Sequence, residues 1–199
     1  RGRADARASD LFNGDRPESS VNLALRAERA GDLATARREY ERSIARQPWF
    51  MPAYVNFAEL QRTGGDEAAA EATLRRALAV DADEPSVLYA LGLSLYRQRR
   101  AEESTQALAR AAKVAPHVAR YAFAHALALD AEGKLDASLA VVDAALRRHP
   151  EDRDLLDAGL GAAQKAGDIG KARAYVTRLR TLAPEDAQLA QLAQRLGVP

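Results

Sequence analysis

The chain has no cysteine in its 199 residues. That absence excludes a disulfide framework, thiolate-held zinc, iron–sulfur clusters and covalent c-type haem attachment within these residues. It leaves the compartment open, because a cysteine-free chain suits reducing and oxidising surroundings alike. Long apolar runs are missing as well: no stretch of about 18 or more apolar residues occurs, so no segment reads as a membrane-spanning helix. Neither sign of charge is in excess. The 29 Lys and Arg face 28 Asp and Glu, and a net charge of +1 gives no broad field to draw the chain onto nucleic acid or anionic lipid. Aromatic residues are sparse at 6%, yet 47% hydrophobic and 29% charged residues in a chain of this length describe one or two folded domains with a sizeable core. Lysine is confined to Lys113, Lys134, Lys165 and Lys171, so arginine carries most of the positive charge; with abundant alanine, this skew points to GC-rich bacterial coding. The first residue is Arg1 rather than Met, from which the chain is expected to be a piece of a longer product, any targeting segment lying outside it.

What the sequence does have is a repeat. Pro48, Pro116, Pro150 and Pro184 are spaced by 68, 34 and 34 residues. A fixed period of this length is the signature of stacked repeats. The 34-residue frame that starts at Pro17 gives blocks 17–50, 51–84, 85–118, 119–152 and 153–186 without an insertion. The fifteenth residue of each block is Gly31, Gly65, Arg99, Gly133 and Gly167; the twentieth is Ala36, Ala70, Ser104, Ser138 and Ala172; the twenty-seventh is Ser43, Ala77, Ala111, Ala145 and Leu179. Each block reads as two helices. Leu88, Leu91, Leu95 and Tyr96 mark one apolar face of a helix over Ser86–Gln98. Glycine at position fifteen ends the first helix, and Asp32, Asp66 and Asp168 stand where they can cap the second. The small residues at positions twenty and twenty-seven let paired helices approach closely, and the proline near position thirty-two stops the second helix. Gly159 and Gly161 cost about 1 kcal/mol each against Ala in a helix interior, so the fifth block is expected to be the weakest and most mobile pair. Residues 1–16 form a lead-in segment whose 4–12 stretch has helical composition, with Asn13-Gly14-Asp15 a turn. Residues 187–199 place Leu189, Leu192 and Leu196 on one face, as a terminal capping helix requires.

Chemistry-bearing constellations do not emerge. His117, His125 and His149 have no metal-ligand spacing; His125 stands at a core-like position and reads as a hydrogen-bonded core residue. Gly159-Leu160-Gly161 lacks the third glycine of a dinucleotide fingerprint, with Gln164 in its place, and Gly170-Lys171 lacks the rest of a phosphate loop. Glu102-Glu103 and Glu151-Asp152 fall at helix starts or block ends, where acid compensates the helix dipole. Arg37-Arg38, Arg75-Arg76, Arg99-Arg100 and Arg147-Arg148 are diluted by neighbouring Glu residues and read as solvated surface rather than a nucleic-acid stripe. No catalytic residue, metal or cofactor is expected.

The frame, with Leu88, Leu91, Gly92, Leu95, Tyr96, Leu108, Ala111 and Pro116 forming the fullest copy, resembles a tetratricopeptide repeat (TPR) array. The resemblance implies an all-α, right-handed solenoid of five helix–turn–helix repeats with a C-terminal capping helix, acting as a non-catalytic protein-interaction scaffold. Departures lie at position four, which holds Ser20, Tyr54, Leu88, Ala122 and Leu156, and at position seven, with Leu23, Phe57, Leu91, His125 and Gly159. In this family the first helices line a concave groove that grips a partner segment. The corresponding candidates are Asn22 and Leu25 (beside Val21), Asn56 and Glu59 (beside Val55), Tyr89, Leu93, Tyr96 and Arg97, then Phe123 and Leu127, and in the fifth block Asp154, Asp157, Gln164 and Lys165. Stacked amides at Asn22 and Asn56 suit an extended backbone, and Tyr89, Tyr96 and Phe123 are of the type enriched at binding hot spots; the same aromatics could instead fill space between helices. The family's carboxylate clamp is not expected, because its places hold Val21, Leu25, Asn56, Ser86 and Ala90, of which Asn56 alone matches. The expected partner is a protein or peptide, with no nucleic acid and no membrane insertion; a homo-oligomer stays open.

A fainter resemblance concerns Asp15-Arg16-Pro17-Glu18 leading to Asn22-Leu23, Pro52-Ala53-Tyr54-Val55-Asn56, Arg120-Tyr121-Ala122 and His149-Pro150 with Asp152-Arg153-Asp154-Leu155. These runs are similar to the C-terminal TPR segment of some bacterial multihaem c-type cytochromes. That resemblance implies an accessory or assembly module of a larger redox protein, in the periplasm, with haem on an upstream part; without it, a cytoplasmic location is equally open.

Overall fold

The computed structural model describes residues 17–198, so the expected lead-in segment 1–16 lies outside the described residues. Among the described residues there are eleven helices and no strand. In chain order they are α1 (Pro17–Arg29), α2 (Leu33–Arg46), α3 (Met51–Thr63), α4 (Glu67–Val80), α5 (Pro85–Arg97), α6 (Ala101–Val114), α7 (Ala119–Ala131), α8 (Leu135–Leu146), α9 (Arg153–Ala166), α10 (Ile169–Leu182) and α11 (Ala187–Leu196). Each 34-residue block therefore holds one pair of helices, the first opening on the block's first residue and the second on its seventeenth.

Local chemistry accounts for these boundaries. Position fifteen adopts a left-handed backbone in all five blocks, with φ of +76° at Gly31, +85° at Gly65, +61° at Arg99, +73° at Gly133 and +71° at Gly167. The next amide then reaches back to a carbonyl five residues earlier: Asp32 N–H to Ala27 at 2.9 Å, Arg100 N–H to Leu95 at 3.0 Å and Asp168 N–H to Ala163 at 2.9 Å are examples. This bond satisfies a carbonyl that a helix end would otherwise leave unpaired. The expected caps form: Asp32 accepts from Thr35 N–H, Asp66 from Ala69 N–H and Asp168 from Lys171 N–H. Asp152 and Asp186 cap α9 and α11 in the same way.

The chain forms two compact units, one up to Ser94 and the other from Leu95 onward, the division falling within α5. In the first unit, α1 packs on α2, α2 on α3 and α3 on α4. Tyr40 of α2 stacks on Phe57 of α3 with ring centroids 5.9 Å apart, and its hydroxyl donates to the Glu28 carboxylate. Buried Thr73 donates to Gln61 at 2.8 Å, joining α4 to α3. In the second unit α6 packs on α7, and α7 on α8 and α9. Leu139, Val142, Leu155, Leu156, Leu160, Val176 and Leu179 belong to a core cluster over α7 to α11, to which α11 adds Leu189 and Ala193. All ten small or apolar residues at positions twenty and twenty-seven are buried. Gly159 has a packing reason: a Cβ there would lie 2.7 Å from Cζ of Tyr175. Its absence lets that ring lie against α9 while the Tyr175 hydroxyl donates to Asp143 at 2.5 Å.

Candidate functional site

The first helices present the candidate side chains unit by unit. In the first unit Asn22 is exposed, Asn56 half-buried and Leu25 half-buried, whereas Val21 is part of the core. Glu59 is exposed and held by Arg62, whose Nε and Nη2 donate to its two oxygens at 2.7 and 2.5 Å. This fork-to-carboxylate geometry fixes both side chains along α3. Tyr89 and Leu93 of α5 are half-buried.

In the second unit Tyr96 is 53% exposed and Leu127 is 42% exposed, large apolar surfaces that the unit leaves to solvent. Arg97 is also exposed. Phe123 behaves differently: it is partly buried and packs against the core of the unit. Tyr96 and Arg97 come together in an open recess of about 460 Å³, whose other walls are Arg99, Ala101, Thr105, Ala128 and Ala131. The alanines come from α6 and α7, and their short side chains are what leave the space. Near its edge Thr105 donates to Glu132, which also pairs with Lys134 at 2.6 Å. The Lys134 and Thr105 hydrogen bonds hold the Glu132 carboxyl below its ordinary pKa, so it stays ionised. In the fifth block Lys165 reaches Asp130 at 2.6 Å across α7 and α9.

A second cavity, of about 330 Å³, was not foreseen from the sequence. It lies between α6 and α8, over α7, and is lined by Ala109, Ala112, Lys113, Pro116, Ala122, His125, Val141, Ala144, Ala145 and Arg148. Here the expectation for His125 is corrected. It is half-buried in a cavity wall rather than a hydrogen-bonded core residue, and burial pulls its pKa below the ordinary histidine value while Glu132 pulls the other way. The signal was present in the departures at positions four and seven, since Ala122 and His125 stand where the second block has Tyr54 and Phe57 and the third has Leu88 and Leu91. Among the described residues no group of three His, Asp or Glu side chains is placed to hold a metal ion. No helix there is long and apolar enough to cross a membrane.

Two tetratricopeptide repeat family models match, one over residues 27–93 and the other over residues 89–153. No curated protein matches the chain in sequence. Among solved structures, MamA superposes with a TM-score of 0.71 over 88% of this chain and 96% of that one, at 16% identity. YrrB, described as a TPR protein with an unusual peptide-binding site, gives 0.68 over 97% and 98%, at 19% identity. PilF of Pseudomonas aeruginosa gives 0.71 over 90% and 82%, at 22% identity. Identities this low carry the fold alone. Nothing in these comparisons supports the multihaem cytochrome resemblance. Matched by repeat models across well over half its length, and folded into consecutive helix pairs in an unbroken 34-residue register, the chain belongs to the tetratricopeptide repeat family of protein-interaction modules.

Proposed function

We propose that the chain is a non-catalytic scaffold that holds a segment of a partner protein against the exposed side chains of its first helices. The observation that carries this reading is the recess in the second unit, where exposed Tyr96 stands beside Arg97 over a floor of alanines. An aromatic ring in a recess with small walls offers a partner side chain apolar area to cover, and tyrosine and arginine are the residue types over-represented among binding hot spots. Leu127, exposed on α7, adds a second apolar contact in the same unit. In the first unit Asn22 and Asn56 recur at position six of consecutive repeats, where amides can both donate to and accept from an extended main chain. That a related fold, YrrB, is described as having a peptide-binding site lends the reading further support.

The test is capture of partners from the source organism, followed by mapping of the bound segment by proteolysis. Tyr96→Ala combined with Leu127→Ala removes exposed surface and should leave the melting temperature unchanged. Affinity for the mapped segment should fall about tenfold or more, as hot-spot truncations do. Unchanged affinity in the double variant would overturn the reading.

A further inference from the structure

We infer that the cavity between α6 and α8 is a second interaction site, which takes an acidic peptide segment carrying an apolar anchor residue. Its existence traces to two positions. In the second and third blocks, positions four and seven carry Tyr54 with Phe57 and Leu88 with Leu91, all buried. In the fourth block they are Ala122 and His125, and the volume those larger side chains would take is left as a cavity of about 330 Å³. Ala109, Ala112, Ala144, Ala145 and Val141 make the walls apolar. A void open at the surface and bounded by apolar side chains favours an apolar group that displaces its water.

Charge selects the rest of the occupant. Lys113 stands on one wall and Arg148 on the other, both exposed, and among the described residues neither takes part in an ion pair. Between Glu103 and Asp130 the chain has no acidic residue, while Arg110, Lys113 and Arg120 fall in that interval. Arg147 and Arg148 follow α8 directly, and from Ala144 to Pro150 acids are again absent. The cavity mouth is thus positive although the whole chain is almost neutral, which suits carboxylates flanking an apolar side chain and disfavours a basic segment. This surface is distinct from the recess at Tyr96, with which it shares no lining residue.

The probe is a fluorescein-labelled peptide of alternating glutamate and leucine, titrated against the whole chain by fluorescence polarisation at low salt. Binding is expected, and the matching lysine–leucine peptide should not bind. Lys113→Glu with Arg148→Glu should weaken binding about tenfold or more, whereas Arg37→Glu with Arg38→Glu, in the first unit, should leave it unchanged. Ala144→Leu fills the mouth from an exposed position and should weaken binding without altering charge. Tyr96→Ala with Leu127→Ala should have no effect, which separates this site from the proposed first-helix one. The inference is overturned if the charge-reversed pair binds as well as the parent chain, if both peptides bind alike, or if Ala144→Leu changes nothing. Recruitment of the chain to anionic phospholipid vesicles without peptide binding would equally overturn it.

Discussion

Arg99 is, among the described residues, the one non-glycine with a positive φ, at +61°. Four of the five equivalent turn positions are glycine, and the turn is built the same way at Arg99, with Arg100 N–H bonded to the Leu95 carbonyl at 3.0 Å. A side chain in this region brings Cβ against the following carbonyl at a cost of about 1–2 kcal/mol. The strain sits in the wall of the recess that also holds Tyr96 and Arg97. Strained backbone persists where the surroundings over-determine it, and it is often tied to binding. Arg99→Gly should therefore raise stability by about 1 kcal/mol, read as a higher urea midpoint at unchanged slope. A lower midpoint would show that guanidinium contacts outweigh the backbone strain. If the same variant loses the captured partner segment, Arg99 is kept for its side chain at the expense of stability.

At the scale of the element, helix ends were legible because their signals are local. The aspartate caps, the left-handed position fifteen and the prolines each act within a turn of the boundary they set, although α3, α6, α7 and α8 start without a side-chain cap. Which side chains a helix leaves exposed was less legible, because a first helix in this fold has apolar neighbours on more than one side. Val21 went to the core of the first unit and Phe123 leaned onto that of the second, while Tyr96 and Leu127 stayed out. Gly159 reads as a weak point in a helix until Tyr175, on the next helix, is seen lying against it. The α6–α8 cavity was hidden for the same reason: it needs residues from three helices, and sequence periodicity describes one at a time. His125 in α7 gives that cavity a measurable signature. Burial lowers its folded pKa, against the opposing pull of Glu132, and Lys113 and Arg148 on the facing helix and loop add no negative charge. Below about pH 6.5 the unfolded chain thus binds a proton that the folded chain resists, so stability falls as pH drops toward the folded pKa and levels off below it. His125→Gln should flatten this slope in a series of denaturant titrations between neutral pH and pH 5; an unchanged slope would place the acid sensitivity elsewhere.

At the scale of the molecule, packing within each unit is short-range along the chain. Within each unit, helices in substantial contact are neighbours in sequence or are separated by a single helix. Stability in such an arrangement is nearly a sum of local terms, and opening proceeds from the ends. The second unit ends on α11, which is secured by the Asp186 cap, by Leu189 and Ala193 in the core, and by Arg173 Nε donating to the Leu196 carbonyl at 2.5 Å. Behind it lie Val176 and Leu179, fully buried and dependent on that cover. Leu189→Ala removes the largest buried side chain of α11 and should cost about 3 kcal/mol. Because the loss is local, hydrogen exchange should quicken in α10 and α11, less in α9, and leave α1 to α4 at their parent rates. An equal acceleration in α1 to α4 would show instead that the two units unfold as one cooperative body, so that a defect at one end is felt along the whole chain.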